Sequence, residues 1–157
     1  MEHTNINKIS NINLEIISFL LKEIEWDSIK TRTSKRKVSN FDPDKHDFLI
    51  PVVEILMNEA KRITNKEVIS LQVFLNYYPT GDDSCPTHEH GCRQIVLSIG
   101  DWRIMKVNSK EITVENGSIV YLYGQNHSIK KSDKNNERFS IVLFFSSPDD
   151  ENVSIYA

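Results

Sequence analysis

The feature that most constrains the fold of this chain is a change in hydrophobic period near residue 66. Before that point, apolar residues recur at intervals of three and four, which is typical of amphipathic helices. After it, short segments rich in β-branched and aromatic residues alternate with turn signals such as 80–82 and 115–117. Two helices before a run of short strands favour a mainly β (α+β) protein, an antiparallel double-sheet jelly roll with the helices packed on one face.

The element bounds follow from this pattern. One helix is predicted at about 13–26 and a second from about 47–51 onward, with a polar, irregular segment at 27–46 between them. Strands are predicted at Val68–Tyr78, Ile95–Ile99, Trp102–Val107, Ile112–Val114, Ile119–Tyr123 and Phe139–Phe145.

The length of 157 residues predicts a single domain, 1–157. Within it we expect a helical N-terminal extension at about 11–65 and a β-barrel at about 66–147. The two cysteines argue against a disulfide scaffold. Neither a signal peptide nor an apolar run of the ~20 residues that a membrane span requires is apparent, so we expect a cytoplasmic monomer.

The net charge of −3 argues against a wholly basic nucleic-acid-binding protein but leaves room for a local basic surface. One positive stretch, the basic cluster, has two interpretations: a solvated loop or a contact with nucleic-acid phosphates. It consists of Lys30, Arg32, Lys35, Arg36 and Lys37.

Polar residues occur two positions apart in three segments that otherwise predict buried strands. Strand residues two apart point to the same face. Burying so many polar groups is unfavourable unless a ligand inside the barrel satisfies them. The pairs are His88 with His90, Asn76 with Tyr78, and Arg138 with Ser140.

A third histidine, His127, lies several strands after the His88-Glu89-His90 segment. Neutral imidazole binds Fe, Zn, Cu and Ni, and non-haem Fe(II) oxygenases use two histidines and a carboxylate on one face of the metal. We therefore predict one metal site made by His88, His90 and His127. Arg138 is predicted to bind a carboxylate through its planar fork inside the same barrel.

Taken in order, these segments resemble the AlkB branch of the 2-oxoglutarate- and Fe(II)-dependent dioxygenases, over about residues 71–146. The resemblance rests on Asn76-Tyr77-Tyr78-Pro79, His88, Leu97-Ser98-Ile99-Gly100 followed by Arg103, Gly117-Ser118-Ile119-Val120 leading to His127, and Arg138-Phe139-Ser140-Ile141. It implies a double-stranded β-helix, with Fe(II) and 2-oxoglutarate as cofactors and O2 as a further reactant.

The resemblance also implies roles for individual residues. His88 and His127 match the iron histidines, and Arg138 matches the arginine that pairs with the distal carboxylate of 2-oxoglutarate. Asn76 and Tyr78 match positions that contact 2-oxoglutarate, while Ser140 matches the serine of an R-x-S pattern in related branches. The implied activity is oxidative N-demethylation of a nucleobase in DNA or RNA, with the basic cluster on the phosphates. A protein or small-molecule hydroxylase fits the same residues.

Two positions depart from the family pattern. His90 stands where the family has an aspartate ligand, so a bound metal would keep more net positive charge. Phe144 stands where the AlkB branch often carries a second arginine, which leaves fewer charges for the cosubstrate.

Three alternatives remain open at the level of sequence. Cys85 and Cys92 could join His88 and His90 in a compact zinc cluster. The pattern of Gly81, the H-x-H segment and His127 also resembles a cupin, with Gln94 near the place of the usual glutamate. A non-catalytic barrel is the third. Arg138 discriminates, because a 2-oxoglutarate enzyme needs it beside the metal and a cupin does not.

Overall fold

The computed structural model describes residues 7–9, 12–134 and 136–155, which form two α-helices and eleven strands. A single 3-10 turn at Asp47–Leu49 precedes the second helix. The elements are β1 Asn7–Lys8, α1 Leu14–Lys22, β2 Asp27–Lys30, β3 Lys35–Asn40, α2 Ile50–Thr64, β4 Ile69–Tyr78, β5 Cys85–His88, β6 Arg93–Gly100, β7 Arg103–Val107, β8 Lys110–Val114, β9 Ser118–Tyr123, β10 His127–Ile129 and β11 Arg138–Ser146.

The strands form two antiparallel sheets. The large sheet has the order β1-β9-β6-β11-β4-β3-β2, and the small sheet has the order β5-β10-β7-β8. Many neighbours in both sheets are far apart in sequence, as in the pairs β9–β6, β6–β11, β11–β4 and β10–β5, which is expected when a chain wraps repeatedly around a barrel. The predicted jelly roll is confirmed.

The three central strands of the large sheet bury both faces, and the alternation of their side chains separates two cores. Odd-numbered residues form the helix-facing core, which packs on α1 and α2. Even-numbered residues form the cavity face, which looks toward the small sheet. Register keeps the parity constant from Arg138 to Phe144, because Tyr78 pairs with Arg138 and Arg138 pairs with Gly100; the pairing with β4 shifts between Phe144 and Phe145.

Both helices form where the sequence predicts them, and the predicted packing on one face is confirmed. Asn13 caps α1 by accepting hydrogen bonds from the backbone N–H groups of Glu15 and Ile16, at 3.1 and 3.2 Å. The helix ends at Lys22, before the predicted end near Trp26. The indole of Trp26 instead donates to the carbonyl of Leu21 at 2.9 Å.

The prediction that residues 27–46 are irregular is wrong. β2 and β3 form a hairpin that adds to the edge of the large sheet, with Lys37 opposite Tyr77 of β4. Backbone pairing with β4 supports this hairpin, so it needs little apolar periodicity, and charged residues are common on edge strands. Val38 is the one buried apolar residue of the hairpin, and it hints at the pairing.

Two short strands of the small sheet, β5 and β10, were not predicted either. Each is too short to show a hydrophobic period, and they form because β5 pairs with β10 and β10 also pairs with β7. Among the described residues, no helix is long and apolar enough to cross a membrane.

Candidate metal centre and cofactor cavity

Three histidines converge at one end of the barrel. His88 ends β5 and lies opposite His127, which begins β10. The ring centroids of these two residues are 4.2 Å apart, and His90 lies 4.8 Å from His88 and 5.6 Å from His127. One ligand atom from each residue falls within 4.8 Å of the others. The geometry therefore suits a single ion held by three imidazoles.

The sequence argument that His88 and His90 point to the same face, because they are two residues apart in one strand, is wrong in one respect. β5 ends at His88, so His90 lies beyond the strand and its direction is not set by strand alternation. A bridge between Gly91 and Ser154 brings the C-terminal segment alongside this turn. The carbonyl of Ile155 then contacts the His90 ring, and this contact turns the ring toward the cluster.

Each of the three imidazoles has its Nδ1 beside a backbone carbonyl oxygen. Because a carbonyl only accepts hydrogen bonds, each Nδ1 carries the proton and each Nε2 keeps its lone pair, which in His127 faces the Gln94 amide nitrogen at 3.1 Å. Backbone contacts of this kind orient ligating histidines. The carbonyls belong to Pro86 for His88 at 2.7 Å, to Gln125 for His127 at 3.0 Å, and to Ile155 for His90.

Burial keeps the cluster neutral. Desolvation, together with the neighbouring His88, lowers the pKa of His127 from 6.5 to about 3. The pKa values of His88 and His90 are also lowered, mainly by burial, and the charge of Arg36 contributes at His88. Neutral imidazoles are the form that binds a metal, so protons do not compete near pH 7.

The donor set fits a divalent first-row metal such as iron, nickel, copper or zinc. Within the described residues the cluster contains no carboxylate and no thiolate. Burial raises the pKa of Cys85, and it raises that of Cys92 to about 11, so both thiols stay protonated. The Cys85 sulfur lies 3.7 Å from Nδ1 of His88, the nitrogen that already serves Pro86. The four-ligand zinc interpretation is therefore not supported.

Gln94 lies inside the cluster, near the place where a cupin has its glutamate. Its Nε2 is 3.1 Å from Nε2 of His127, while its Oε1 is buried with no partner among the described residues. Rotating the amide by half a turn would direct the oxygen at the histidines instead. Gln94 is thus a neutral neighbour of the metal position and contributes no charge to it.

A cavity of about 400 Å³ lies between the two sheets and opens onto the histidine cluster. Its walls are mostly apolar, and polar groups concentrate on the β4 and β11 side. No aspartate or glutamate lines it among the described residues. The main apolar lining residues are Phe74, Val96, Met105, Ile129, Val142 and Phe144.

Arg138 lies in this cavity and is completely buried. Its Nη2 donates to the Ser98 hydroxyl at 2.8 Å, and its guanidinium carbon lies 4.9 Å from the centre of the Tyr78 ring. Nε and Nη1 have no hydrogen-bond partner among the described residues. Unpaired buried donors on a cation are costly, and a planar carboxylate is the group that satisfies such a fork.

The other predicted cofactor residues surround Arg138. Asn76 donates through Nδ2 to the Ser140 hydroxyl at 3.0 Å, and both residues line the cavity. Burial raises the pKa of Tyr78 to about 12, so its hydroxyl keeps the proton. The structure therefore brings Asn76, Tyr78, Arg138 and Ser140 to the same wall of the cavity.

Sequence reasoning placed Arg36 in the basic cluster and missed its position in the cavity. Arg36 lines the cavity, and its Nε donates to Asn76 Oδ1 at 2.9 Å. The sequence signal for this position was that Arg36 is two residues from Val38. Strand residues two apart point to the same face of the sheet, so this spacing predicts that Arg36 shares the face of Val38. The rest of the basic cluster does not line the cavity: Lys30, Arg32 and Lys35 are exposed and Lys37 is half-buried.

Arg103, another buried arginine near Tyr78, has a different role. Its Nη1 donates to the carbonyl of Asp83 at 2.8 Å and, more weakly, to that of Lys130 at 3.3 Å. Its Nη2 donates to the carbonyl of Thr80 at 2.7 Å. Arg103 thus joins two loops and is not directed at a ligand.

Comparisons with known proteins identify the fold. No protein-family model matches the sequence, and no curated protein is significantly similar to it. Among solved structures, HygX from Streptomyces hygroscopicus, with nickel and 2-oxoglutarate bound, has a TM-score of 0.68 at 9% identity, covering 94% of this chain and 84% of that one.

Two further structures are similar. An oxidoreductase of the 2OG-Fe(II) oxygenase family from Burkholderia pseudomallei has a TM-score of 0.64 at 14% identity, covering 85% of this chain and 78% of that one. A prolyl hydroxylase from Trichoplax adhaerens, in complex with a hypoxia inducible factor peptide, has a TM-score of 0.62 at 14% identity, covering 92% and 84%. At these identities the likeness is one of fold, and the expected double-stranded β-helix is confirmed.

Proposed function

We propose that this protein is an Fe(II)- and 2-oxoglutarate-dependent oxygenase that oxidises a substrate bound in the cavity between its sheets. One observation carries the proposal: a fully buried, partly unpaired Arg138 and a neutral histidine triad line the same cavity. A ligand with a carboxylate at one end and metal-binding oxygens at the other would satisfy both. 2-Oxoglutarate has these groups, and HygX, of the same fold, is described with 2-oxoglutarate bound.

The residues that would hold the metal are His88, His90 and His127, each oriented by the backbone contact of its Nδ1. When bound, Fe(II) together with 2-oxoglutarate supplies the activation of O2 that oxidation of a C–H bond requires. Because all three side chains are neutral, they leave the ion its full charge. A dianionic cosubstrate would offset that charge.

The residues that would hold the cosubstrate form one hydrogen-bonded wall. Arg138 offers Nη1 and the second hydrogen of Nη2 to a carboxylate, while the Ser98 hydroxyl accepts the other Nη2 hydrogen and holds the guanidinium in place. Asn76 and Ser140 fix each other beside it. This arrangement favours an oxygenase of the 2-oxoglutarate type over a cupin, which does not need an arginine at this place.

A finer candidate is the AlkB-like activity, oxidative demethylation of a nucleobase in DNA or RNA. The observation that favours it is the β2–β3 hairpin at the rim: Ile29 lines the cavity while Lys30, Arg32 and Lys35 are exposed beside it. Phosphates could bind these side chains while an unstacked base enters the cavity. Hydroxylation of a protein or small molecule would use the same interior without the exposed basic side chains of the hairpin.

The main proposal is tested by metal analysis and titration calorimetry without O2. Wild type should bind one equivalent of Fe(II) or Ni(II) and then 2-oxoglutarate. His88→Ala should lower the metal affinity at least about 100-fold. Mutating even the residues that hydrogen-bond to metal ligands lowers metal affinity about 10- to 100-fold. His46→Ala is the control, because His46 lies outside the cluster and accepts a hydrogen bond from Asp42. If metal-loaded wild type does not bind 2-oxoglutarate at millimolar concentration, the proposal is contradicted.

The AlkB-like candidate has its own test. The triple variant Lys30→Gln, Arg32→Gln, Lys35→Gln should bind a methylated oligonucleotide more weakly than wild type, with a shallower salt dependence. Its affinity for 2-oxoglutarate should not change. Equal oligonucleotide binding by the two proteins would remove nucleic acid as the substrate.

A further inference from the structure

We infer that Arg36 is a second anion-binding residue of the cavity, and that the substrate is a small organic molecule whose carboxylate or phosphate group it holds. This inference rests on the proposed function, since it names the substrate class of the same site.

The position of Arg36 is set by the hairpin. In β3 the side chain of Arg36 shares a face with Val38, and its partner across the strand pair is Ile29. Arg36 and Ile29 both line the cavity. Arg36 is half-buried, unlike the exposed Lys35 before it, and it therefore lies near the rim, where an incoming substrate meets it.

A chain of hydrogen bonds holds the guanidinium in place. Arg36 Nε donates to Asn76 Oδ1 at 2.9 Å, and Asn76 Nδ2 donates to the Ser140 hydroxyl at 3.0 Å. No hydrogen bond or ion pair is formed by the two terminal nitrogens of Arg36 within 12–134 and 136–155. A guanidinium held by one nitrogen presents the other two as a preorganised fork for an oxyanion.

The charges of the cavity require an anion beyond the cosubstrate. Within the described residues, no carboxylate lines the cavity, and its three histidines are neutral. Arg36, Arg138 and a divalent ion together carry four positive charges, and 2-oxoglutarate neutralises two of them. Uncompensated charge in a largely apolar cavity is costly, so binding of an anionic substrate is favoured and binding of a neutral one is not.

Arg36 and Arg138 lie on strands that are separated by one strand. Arg138 is on β11 and Arg36 is on β3, with β4 between them. Adjacent strands lie about 4.8 Å apart, so these two backbones are about 10 Å apart. Their hydrogen-bond partners differ as well, Ser98 for Arg138 and Asn76 for Arg36. Each arginine is therefore available to a different anionic group.

The experiment uses Ni(II)-loaded protein saturated with 2-oxoglutarate and titrated with three probes: 3-phenylpropionate, phenyl phosphate and the uncharged 3-phenylpropanamide. Wild type should bind at least one of the two anions at least tenfold more tightly than the amide. Arg36→Gln should abolish that preference while changing 2-oxoglutarate affinity less than threefold. Lys37→Gln is the matched control, because Lys37 points to the opposite face of β3 and should leave all affinities unchanged.

The outcomes separate this inference from the proposed function. Binding of 2-oxoglutarate with no preference for anion over amide would overturn the inference and leave the function standing. Anion binding that depends on Arg36, in a protein that never binds 2-oxoglutarate, would support the site and overturn the function. A loss of more than tenfold in 2-oxoglutarate affinity in Arg36→Gln, without loss of anion preference, would assign Arg36 to the cosubstrate and overturn the inference. The relative affinities of the two anions tell carboxylate from phosphate.

Discussion

The two faces of the large sheet are built from the same strands and carry opposite chemistry. On the helix-facing side, residues such as Leu75, Leu97 and Ile141 are fully buried and apolar. On the cavity side, their direct neighbours Asn76 and Ser140 are buried and polar. In a strand buried on both faces, the residues of one face can therefore stabilise the core while the alternating residues of the other face form a site.

The same contrast separates two buried arginines. Arg103 donates from both terminal nitrogens to backbone carbonyls of two loops and leaves only Nε without a partner, whereas Arg138 leaves Nε and Nη1 without one among the described residues. Burial alone does not distinguish them, because both are nearly inaccessible to solvent. What separates them is where the unpaired donors lie, because Arg138 lines the cavity and Arg103 does not.

The largest expected effect tests the division between the faces with adjacent phenylalanines of β11. Phe145 is fully buried in the helix-facing core, and Phe144 lines the cavity. Phe145→Ala should lower the free energy of unfolding by about 3–5 kcal/mol, because it opens a void in a packed core. Phe144→Ala should cost clearly less, since it enlarges a space that already exists. Urea unfolding measures both, and equal losses would break the comparison.

The next effect sharpens the contrast between the arginines. Arg138→Met should abolish 2-oxoglutarate binding yet leave the free energy of unfolding unchanged or higher, because an apolar side chain replaces a poorly satisfied cation. Arg103→Met should destabilise by about 2–4 kcal/mol, since it removes charged hydrogen bonds to buried carbonyls. Arg138→Lys should recover only part of the binding.

Thermal unfolding without ligand and calorimetry with 2-oxoglutarate make both measurements on the arginine variants. A destabilised Arg138→Met protein would show that this arginine also serves the fold.

The smallest effect concerns pH in the metal-free protein. The pKa of His127 falls from 6.5 to about 3 on folding, so the unfolded state binds a proton more readily below pH 6.5. Stability should therefore decrease as the pH falls from 6.5 toward 3, by about 2–3 kcal/mol at pH 4.5 from this residue. His127→Gln should lose less stability between pH 7 and 4.5 than wild type. Urea unfolding in chelator decides it, and identical losses would exclude His127 as the cause.

Much of the fold was predictable because periodicity is a local property. The long strands β4 and β11 were placed to within a residue or two, since apolar and β-branched residues fill both of their faces. The β2–β3 hairpin was missed because charged edge residues conceal its alternation. β5 and β10 were missed because three or four residues are too few to reveal a period.

The candidate site was predictable in its members and less so in its geometry. The sequence named the three histidines and Arg138, and the structure brings them to one cavity, while their roles stay predictions. The reason for His90 was wrong, because its ring is oriented by Ile155 from the far end of the chain. Arg36 was assigned to the basic cluster, because its spacing from Val38 predicts a shared face but does not show that this face borders the cavity.

By itself, the sequence determined the alternation that gives this protein two cores and the supply of imidazoles, guanidinium groups and amides on one parity. The tertiary structure decided which of these groups meet. Pairing of His88 with His127, the carbonyls around Arg103 and the bond from Arg36 to Asn76 all join segments distant in sequence. Hydrogen-bond satisfaction is a property of such contacts, so no local pattern could show that both terminal nitrogens of Arg103 are paired and that one of those of Arg138 is not.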